Sequence, residues 1–218
     1  MFGAIAERYD YANRVLSAGI DKRWRSRLLS LAPEWSGSAS DSPRVLDLCT
    51  GTGDLLALLK ERYGSSVMGA DFCLPMLQNN RAGNFALTQA DALQLPFREN
   101  TFDLVTVAFG VRNFENLEHG LKEIRRTLKP GGMLLVLEFG QPTNSVLRFL
   151  YNWYSAFILP RLGKLITGNR EAYLYLPRTA AKFPFGEAFA WIGETCGLSS
   201  VAFAPLSGGI AYAYSFRK

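Results

Sequence analysis

Gly51-Thr52-Gly53-Asp54 is followed, about twenty residues after its first glycine, by the carboxylate of Asp71. That spacing suits a ligand containing a ribose. Glycines let the chain turn sharply and leave bare main chain for a ligand to lie against. A carboxylate at the tip of the next strand can accept hydrogen bonds from ribose hydroxyls. A dinucleotide site of this type carries a third glycine, so that the helix start can approach a pyrophosphate. Here that position is Leu56, and Asp54 stands where the pyrophosphate charge would arrive. An anion there suits a ligand with sulfonium and ammonium groups, such as S-adenosylmethionine. A nicotinamide cofactor is the alternative.

These residues need a strand, turn, helix and second strand behind them. Residues 44–48 read as a strand ending at the turn, 55–63 as a helix, and 67–70 form a strand ending on Asp71. Residues 74–81 read as a helix with Pro75 in its first turn. Residues 85–89 are a short strand ending at Ala90-Asp91-Ala92, and 102–109 a strand buried on both faces. Leu117, Leu121, Ile124 and Leu128 repeat at helical spacing until Lys129-Pro130-Gly131-Gly132 stops the helix, and 133–139 form another buried strand. Residues 141–184 contain no strand but many aromatics, among them Phe149, Tyr151, Trp153, Tyr154, Phe157, Tyr173 and Tyr175. Phe185, Phe189, Ile192 and Cys196 then share a helical face, with Gly197 as its cap. Residues 201–203 and 210–216 pair through Ser207-Gly208-Gly209, placing Ile210, Tyr212, Tyr214 and Phe216 on one face.

At the amino terminus Ile5, Tyr9, Ala12 and Leu16 mark a helix, a second holds Trp24, Leu28 and Leu29, and residues 36–43 form a polar linker. The predicted class is α/β: a doubly wound, mostly parallel seven-stranded sheet closed by an antiparallel hairpin. One domain spans 1–218, with a helical cap (1–35), a cofactor-binding core (44–140), a substrate-side insertion (141–184) and a closing helix and hairpin (185–218).

Composition narrows the classes. The 218 residues suffice for one full core, and 48% hydrophobic with 20% charged residues is ordinary for a globular protein. The net charge is +5, with basic residues crowded from Lys22 to Arg27 and recurring at Arg125, Arg126 and Lys129. A solvated helix face explains such clusters more often than nucleic acid does, with an anionic membrane between the two. Cys49, Cys73 and Cys196 are odd in number and show no C-x-x-C spacing, which argues against a disulfide framework or a zinc site and for a reducing compartment. No signal peptide or apolar run of about 18 residues is visible, so a cytoplasmic location is expected.

The element order, with Gly51-Thr52-Gly53, Asp71 and Asp91-Ala92, resembles a class I S-adenosylmethionine methyltransferase, a Rossmann-like fold. More narrowly, the chain resembles the quinone C-methyltransferases of menaquinone and ubiquinone biosynthesis, the UbiE/MenG family. The likeness runs from Met1-Phe2 and Arg8-Tyr9-Asp10 through Trp24-Arg25, Val45 to Leu48, Thr50 to Leu55 and Leu95-Pro96-Phe97. Its most specific stretches are Phe109-Gly110-Val111-Arg112-Asn113 and Tyr173 to Pro177. Gly3, Ala108 and Thr179 depart from the pattern, and Ala108 removes one polar contact near the cofactor.

The resemblance implies S-adenosylmethionine as cofactor, with Asp91 at the adenine amino group. Phe72, Ala92, Ala108 and Tyr9 join Gly51, Thr52, Gly53 and Asp71 as cofactor-binding candidates. It implies C-methylation of a prenylated quinol, demethylmenaquinol to menaquinol, with the benzoquinol precursor of ubiquinone, a phytyl-naphthoquinol or a non-catalytic subunit as alternatives. Ring methylation needs a carbon made electron-rich by ionising a neighbouring hydroxyl of ordinary pKa about 10. Arg112, just past the strand 102–109, is the candidate to stabilise that oxyanion and orient water, or else a structural ion pair. Asn113 can bond a neighbouring oxygen, and the base is Asp54 through water or Asp10. His119 falls off the apolar stripe and reads as solvent-facing.

No metal is implied. Nucleic acid is not expected, because residues 108–111 lack the Asn/Asp-Pro-Pro-aromatic run of adenine N-methylation. The aromatic insertion suits a greasy substrate channel. With the basic cap it is also a candidate for peripheral contact with the inner face of a membrane. A homodimer or a quinone-synthesis complex is the remaining partner expectation.

Overall fold

The structure, a computed structural model, describes residues 19–32, 34–35, 42–162 and 177–218. Its apolar runs form one seven-stranded sheet: β1 (Val45–Leu48), β2 (Val67–Asp71), β3 (Ala86–Gln89), β4 (Phe102–Ala108), β5 (Leu128–Phe139), β6 (Ser199–Leu206) and β7 (Ala211–Arg217). The spatial order is β3-β2-β1-β4-β5-β7-β6. β1 pairs parallel with both β2 and β4, while β7 runs antiparallel between β5 and β6. The order reverses at β1, which opens a crevice beyond the carboxyl ends of β1 and β4.

Alternation along each strand sends side chains to two cores. α1 (Ile20–Leu29) and α2 (Asp54–Tyr63) cover one face, where Trp24, Leu28, Leu55 and Leu59 meet Val45, Leu104, Leu135 and Ala213. α4 (Leu117–Thr127) and α6 (Glu187–Thr195) cover the other, where Leu121, Ile124 and Phe189 meet Leu46, Val105, Val136 and Tyr214. The two faces of β7 divide accordingly. Tyr212, Tyr214 and Phe216 face α6, and the small Ala211 and Ala213 face α1. Ile210 is an exception: it precedes the strand and packs on the α1 side instead of joining the tyrosines.

Other boundaries shift for local reasons. α3 (Leu74–Gln78) stops short of residue 81, because the Asn80 side chain accepts from the Ala82 amide and bends the chain. Leu128 opens β5 instead of ending α4; it pairs with Phe102, and the register with β4 is irregular between Phe102 and Leu104. α5 (Ser145–Trp153) begins at an Asn144 cap and runs into a π-helical turn, Tyr154–Ile158. No strand interrupts the described part of the insertion.

Candidate active site

The glycine turn brings β1 and β2 together. Cys49 and Gly51 take left-handed backbone conformations, with φ of 57° and 58°. The Gly51 amide donates to Asp71 Oδ2 at 2.8 Å and the Cys73 amide to Asp71 Oδ1 at 2.8 Å. Each carboxylate oxygen keeps further acceptor capacity. Burial raises the Asp71 pKa, against the two amides that lower it. The glycines differ in use. A Cβ on Gly51 would meet nothing within 4 Å, so bare main chain faces open space there. A Cβ on Gly53 would strike the Asn80 side chain at 2.5 Å and Ala82 at 2.8 Å, which makes Gly53 a packing glycine. Below the turn, Asp47 accepts from the hydroxyls of Thr50 and Thr106, each at 2.7 Å, and so ties the turn to β4 through side chains. Burial pushes its carboxyl up to about 6.

A cavity of about 650 Å³ lies over these strand tips, within the roughly 300–1,000 Å³ of small-molecule sites. Gly51, Thr52, Asp54, Asp71, Phe72, Asp91, Ala92, Ala108, Arg112 and Asn113 all line it. Phe72 is exposed, and Asp91 Oδ1 accepts from the Leu93 amide at 2.9 Å. Arg126 and Glu123 pin the chain behind Asp91, the first at the carbonyls of Leu95 and Phe97, the second at the Leu95 amide. Carboxylates at one end of a bare glycine turn and open volume beyond it fit a nucleoside that carries a cationic tail.

The opposite wall is aromatic and guarded by two guanidinium groups. Phe109 takes a left-handed conformation (φ 58°) that turns its carbonyl to Arg112 Nη1. Arg112 Nη1 also donates to Glu138 Oε1 at 2.7 Å; the side chains are 1% and 0% exposed, and the Arg112 ring contact is Phe139. Arg112 is therefore both a cavity wall and a buried ion pair, and its Nε has no hydrogen-bond partner. Burial raises the Glu138 pKa against the pull of Arg112.

Arg25 sits over Phe109 on the other side, between Asp21 and Asp54. The basic run Lys22 to Arg27 thus divides: Lys22, Arg23 and Arg27 are exposed, while Arg25 turns into the cavity. Tyr151 and Tyr154 also reach the cavity, and burial raises both phenols, which therefore stay protonated near neutral pH. Burial likewise lifts Cys49 well above the usual thiol range, so it is no nucleophile.

The sequence reading missed Arg25 and Glu138. A lone charge inside the apolar run 133–139 was a usable signal, because a buried charge demands a partner. Asp21 and Arg25 also stand one helical turn apart. Tyr9, Asp10, Tyr173 and Tyr175 lie outside the described residues. His119 is exposed and its amide donates to the Asn116 cap. Among the described residues no His, Cys, Asp or Glu cluster could hold a metal ion, and no helix is long and apolar enough to cross a membrane.

A family model described as the ubiE/COQ5 methyltransferase family matches residues 1–218. A "Demethylmenaquinone methyltransferase" of Thermus thermophilus is 46% identical, covering 97% of this chain and 96% of that protein. A "Ubiquinone/menaquinone biosynthesis C-methyltransferase UbiE" of Bdellovibrio bacteriovorus is 41% identical, covering 98% and 92%. Among solved structures, a possible histamine N-methyltransferase of Thermotoga maritima superposes with a TM-score of 0.71 at 18% identity, covering 100% of this chain and 98% of that one. A SAM-dependent methyltransferase of Archaeoglobus fulgidus gives 0.67 at 19%, covering 96% and 99%. At such identities the structures speak for the fold alone.

Proposed function

Because the chain belongs to the ubiE/COQ5 methyltransferase family, we propose that it methylates a ring carbon of a prenylated naphthoquinol, turning demethylmenaquinol into menaquinol. When bound, S-adenosylmethionine would supply the methyl group and depart as the neutral thioether, and the methylated ring carbon would release its proton to water. The observation that carries this reading is the far wall of the cavity. There a buried, fixed guanidinium stands among aromatic rings, next to the carboxylate-bearing cradle.

Asp71 holds ribose hydroxyls on its remaining acceptor sites, and Asp91 bonds the adenine amino group, with Phe72, Ala92 and Ala108 as apolar walls. Thr52 and Gly51 line the path to the tail. Arg112 stabilises the substrate oxyanion, and Glu138 and the Phe109 carbonyl fix its orientation before substrate arrives. Donors placed in advance at a developing charge avoid reorganisation during the reaction. Asn113 orients a neighbouring oxygen, and Asp54 accepts the hydroxyl proton through water. The protonated phenols of Tyr151 and Tyr154 donate to the second ring oxygen. A benzoquinol is the second reading, favoured by the double name of the Bdellovibrio relative.

Mass spectrometry of quinones from a strain lacking the protein tests the proposal. A naphthoquinone lighter by one methylene should accumulate at the expense of the methylated form, and an unchanged profile would refute it.

A prenylated substrate resides in lipid, and α5 offers a way to meet it. Val146, Phe149, Leu150, Trp153 and Phe157 are at least half exposed, follow helical spacing, and are interleaved along the chain with Tyr151 and Tyr154, which line the cavity. This stripe makes peripheral contact with a membrane. Trp153→Ser with Phe157→Ser should abolish co-sedimentation with anionic vesicles. Unchanged pelleting, or a dimer that buries Trp153 in solution, would contradict it.

A further inference from the structure

We propose that Arg25 binds the carboxylate of the methionyl tail of S-adenosylmethionine. The inference rests on the cofactor reading above and adds a residue from the cap helix to the binding site.

The sheet gives the direction of the tail. In the spatial order β3-β2-β1-β4, the strand tips present Asp91, Asp71, Gly51 and Phe109 in turn. A nucleoside with its adenine at Asp91 and its ribose at Asp71 leaves its tail over Gly51, heading for Phe109. The cation standing over Phe109 on that side is Arg25, 5.7 Å from the ring centroid. Its partner Asp54 follows the glycine turn directly and also lines the cavity.

Arg25 has donor capacity to spare. One terminal nitrogen is taken by Asp21, while the other stands 3.4 Å from Asp54, longer than the roughly 2.7–2.9 Å of a strong charge-assisted bond. Its Nε is buried without a hydrogen-bond partner. A carboxylate presents two acceptor oxygens in the plane a guanidinium needs.

Charge agrees with geometry. Asp21, Asp54 and Arg25 together carry one net negative charge, and the ligand's sulfonium, ammonium and carboxylate carry one net positive charge. Trp24 fixes the arrangement from the neighbouring position: its ring nitrogen donates to Ser207 at 2.9 Å, and its ring packs against Phe109 and Phe139. Burial of Trp24 and Leu28 therefore holds α1 at the rotation that aims Arg25 inward.

The test is calorimetric titration of the full chain with S-adenosylmethionine and with its decarboxylated analogue, which keeps the sulfonium and the amine. The intact protein should prefer the natural ligand by about 10- to 100-fold, the worth of a charge-assisted bond. Arg25→Gln should lose S-adenosylmethionine affinity by that factor, with little change for the analogue, so that the preference collapses. Arg25→Lys should restore part of it.

Equal affinity of the intact protein for the two ligands would overturn the inference, as would a preference retained in Arg25→Gln or an equal loss for both ligands. If the intact chain binds neither ligand, the cofactor reading fails and takes this inference with it. Intact S-adenosylmethionine binding with an unaffected preference sinks the Arg25 assignment alone.

Discussion

Arg112 and Glu138 show how two residues become one unit. Removing one member of a buried ion pair leaves an uncompensated charge, at a cost of about 3–5 kcal/mol. Urea denaturation should show Glu138→Ala destabilised by that amount. Arg112→Leu removes both charge and donor, and should lower kcat about 100- to 1,000-fold while the affinity for S-adenosylmethionine stays within a few-fold. A kcat within threefold of the intact enzyme would show that the residue is structural only.

Asp47 has a pH signature. Its folded pKa, about 6, lies above the ordinary 3.8. The folded state therefore retains a proton that the unfolded chain has already released, and stability falls as pH rises from about 4 through about 6. Asp47→Asn abolishes this slope. Its stability relative to the intact protein should improve by up to about 3 kcal/mol between pH 4 and 7, and a parallel pH dependence of the two would contradict the assignment. The types of these residues were legible in the sequence. Their pairing was not, because Arg112 and Glu138 lie on different elements and nothing between them sets their distance.

At the scale of elements, most of the fold could be read from pattern. β1, β2, β4 and the hairpin are runs whose flanking glycines and apolar content permit little else, and α4 announces itself by the stripe Leu117, Leu121 and Ile124. The failures occur where tertiary pairing overrides local signals. Lys129-Pro130-Gly131-Gly132 reads as the stop of a helix, with the strand beginning only at 133, yet β5 already begins at Leu128, which pairs with Phe102. Ile210 fits the alternation of β7 but is drawn to the α1 side. The contact between the tips of β1 and β4 is equally hidden. A Cβ on Gly110 would meet Cys49 Cβ at 2.5 Å and Sγ at 2.7 Å. Gly110→Ala should therefore push the turn away from Phe109, costing about 1–3 kcal/mol and weakening S-adenosylmethionine binding. A variant with unaltered melting and binding would show that the strand tips separate without strain.

Over the whole molecule, the site is assembled from parts that no window of sequence brings together. The cradle comes from β1 and β2, the Arg112 guanidinium from the turn after β4, its partner carboxylate Glu138 from β5, and the Arg25 guanidinium from α1. Trp24 and Ser207, which seat that helix, are 183 residues apart. The single sheet makes this possible, because five parallel strands deliver their ends to one edge of the molecule. The exposed residues Val146, Phe149, Leu150 and Trp153 of α5 are interleaved along the chain with Tyr151 and Tyr154, which line the cavity.

The measurement that bears most directly on the account is methyl transfer by the purified protein, using S-adenosylmethionine labelled in its methyl group and demethylmenaquinol in detergent. The intact protein should place the label on a ring carbon of the product, Asp71→Ala should require far more cofactor to do so, and Arg112→Leu should be nearly inactive at saturation. Label on an oxygen, transfer to no quinol at all, or full activity in both variants would contradict it.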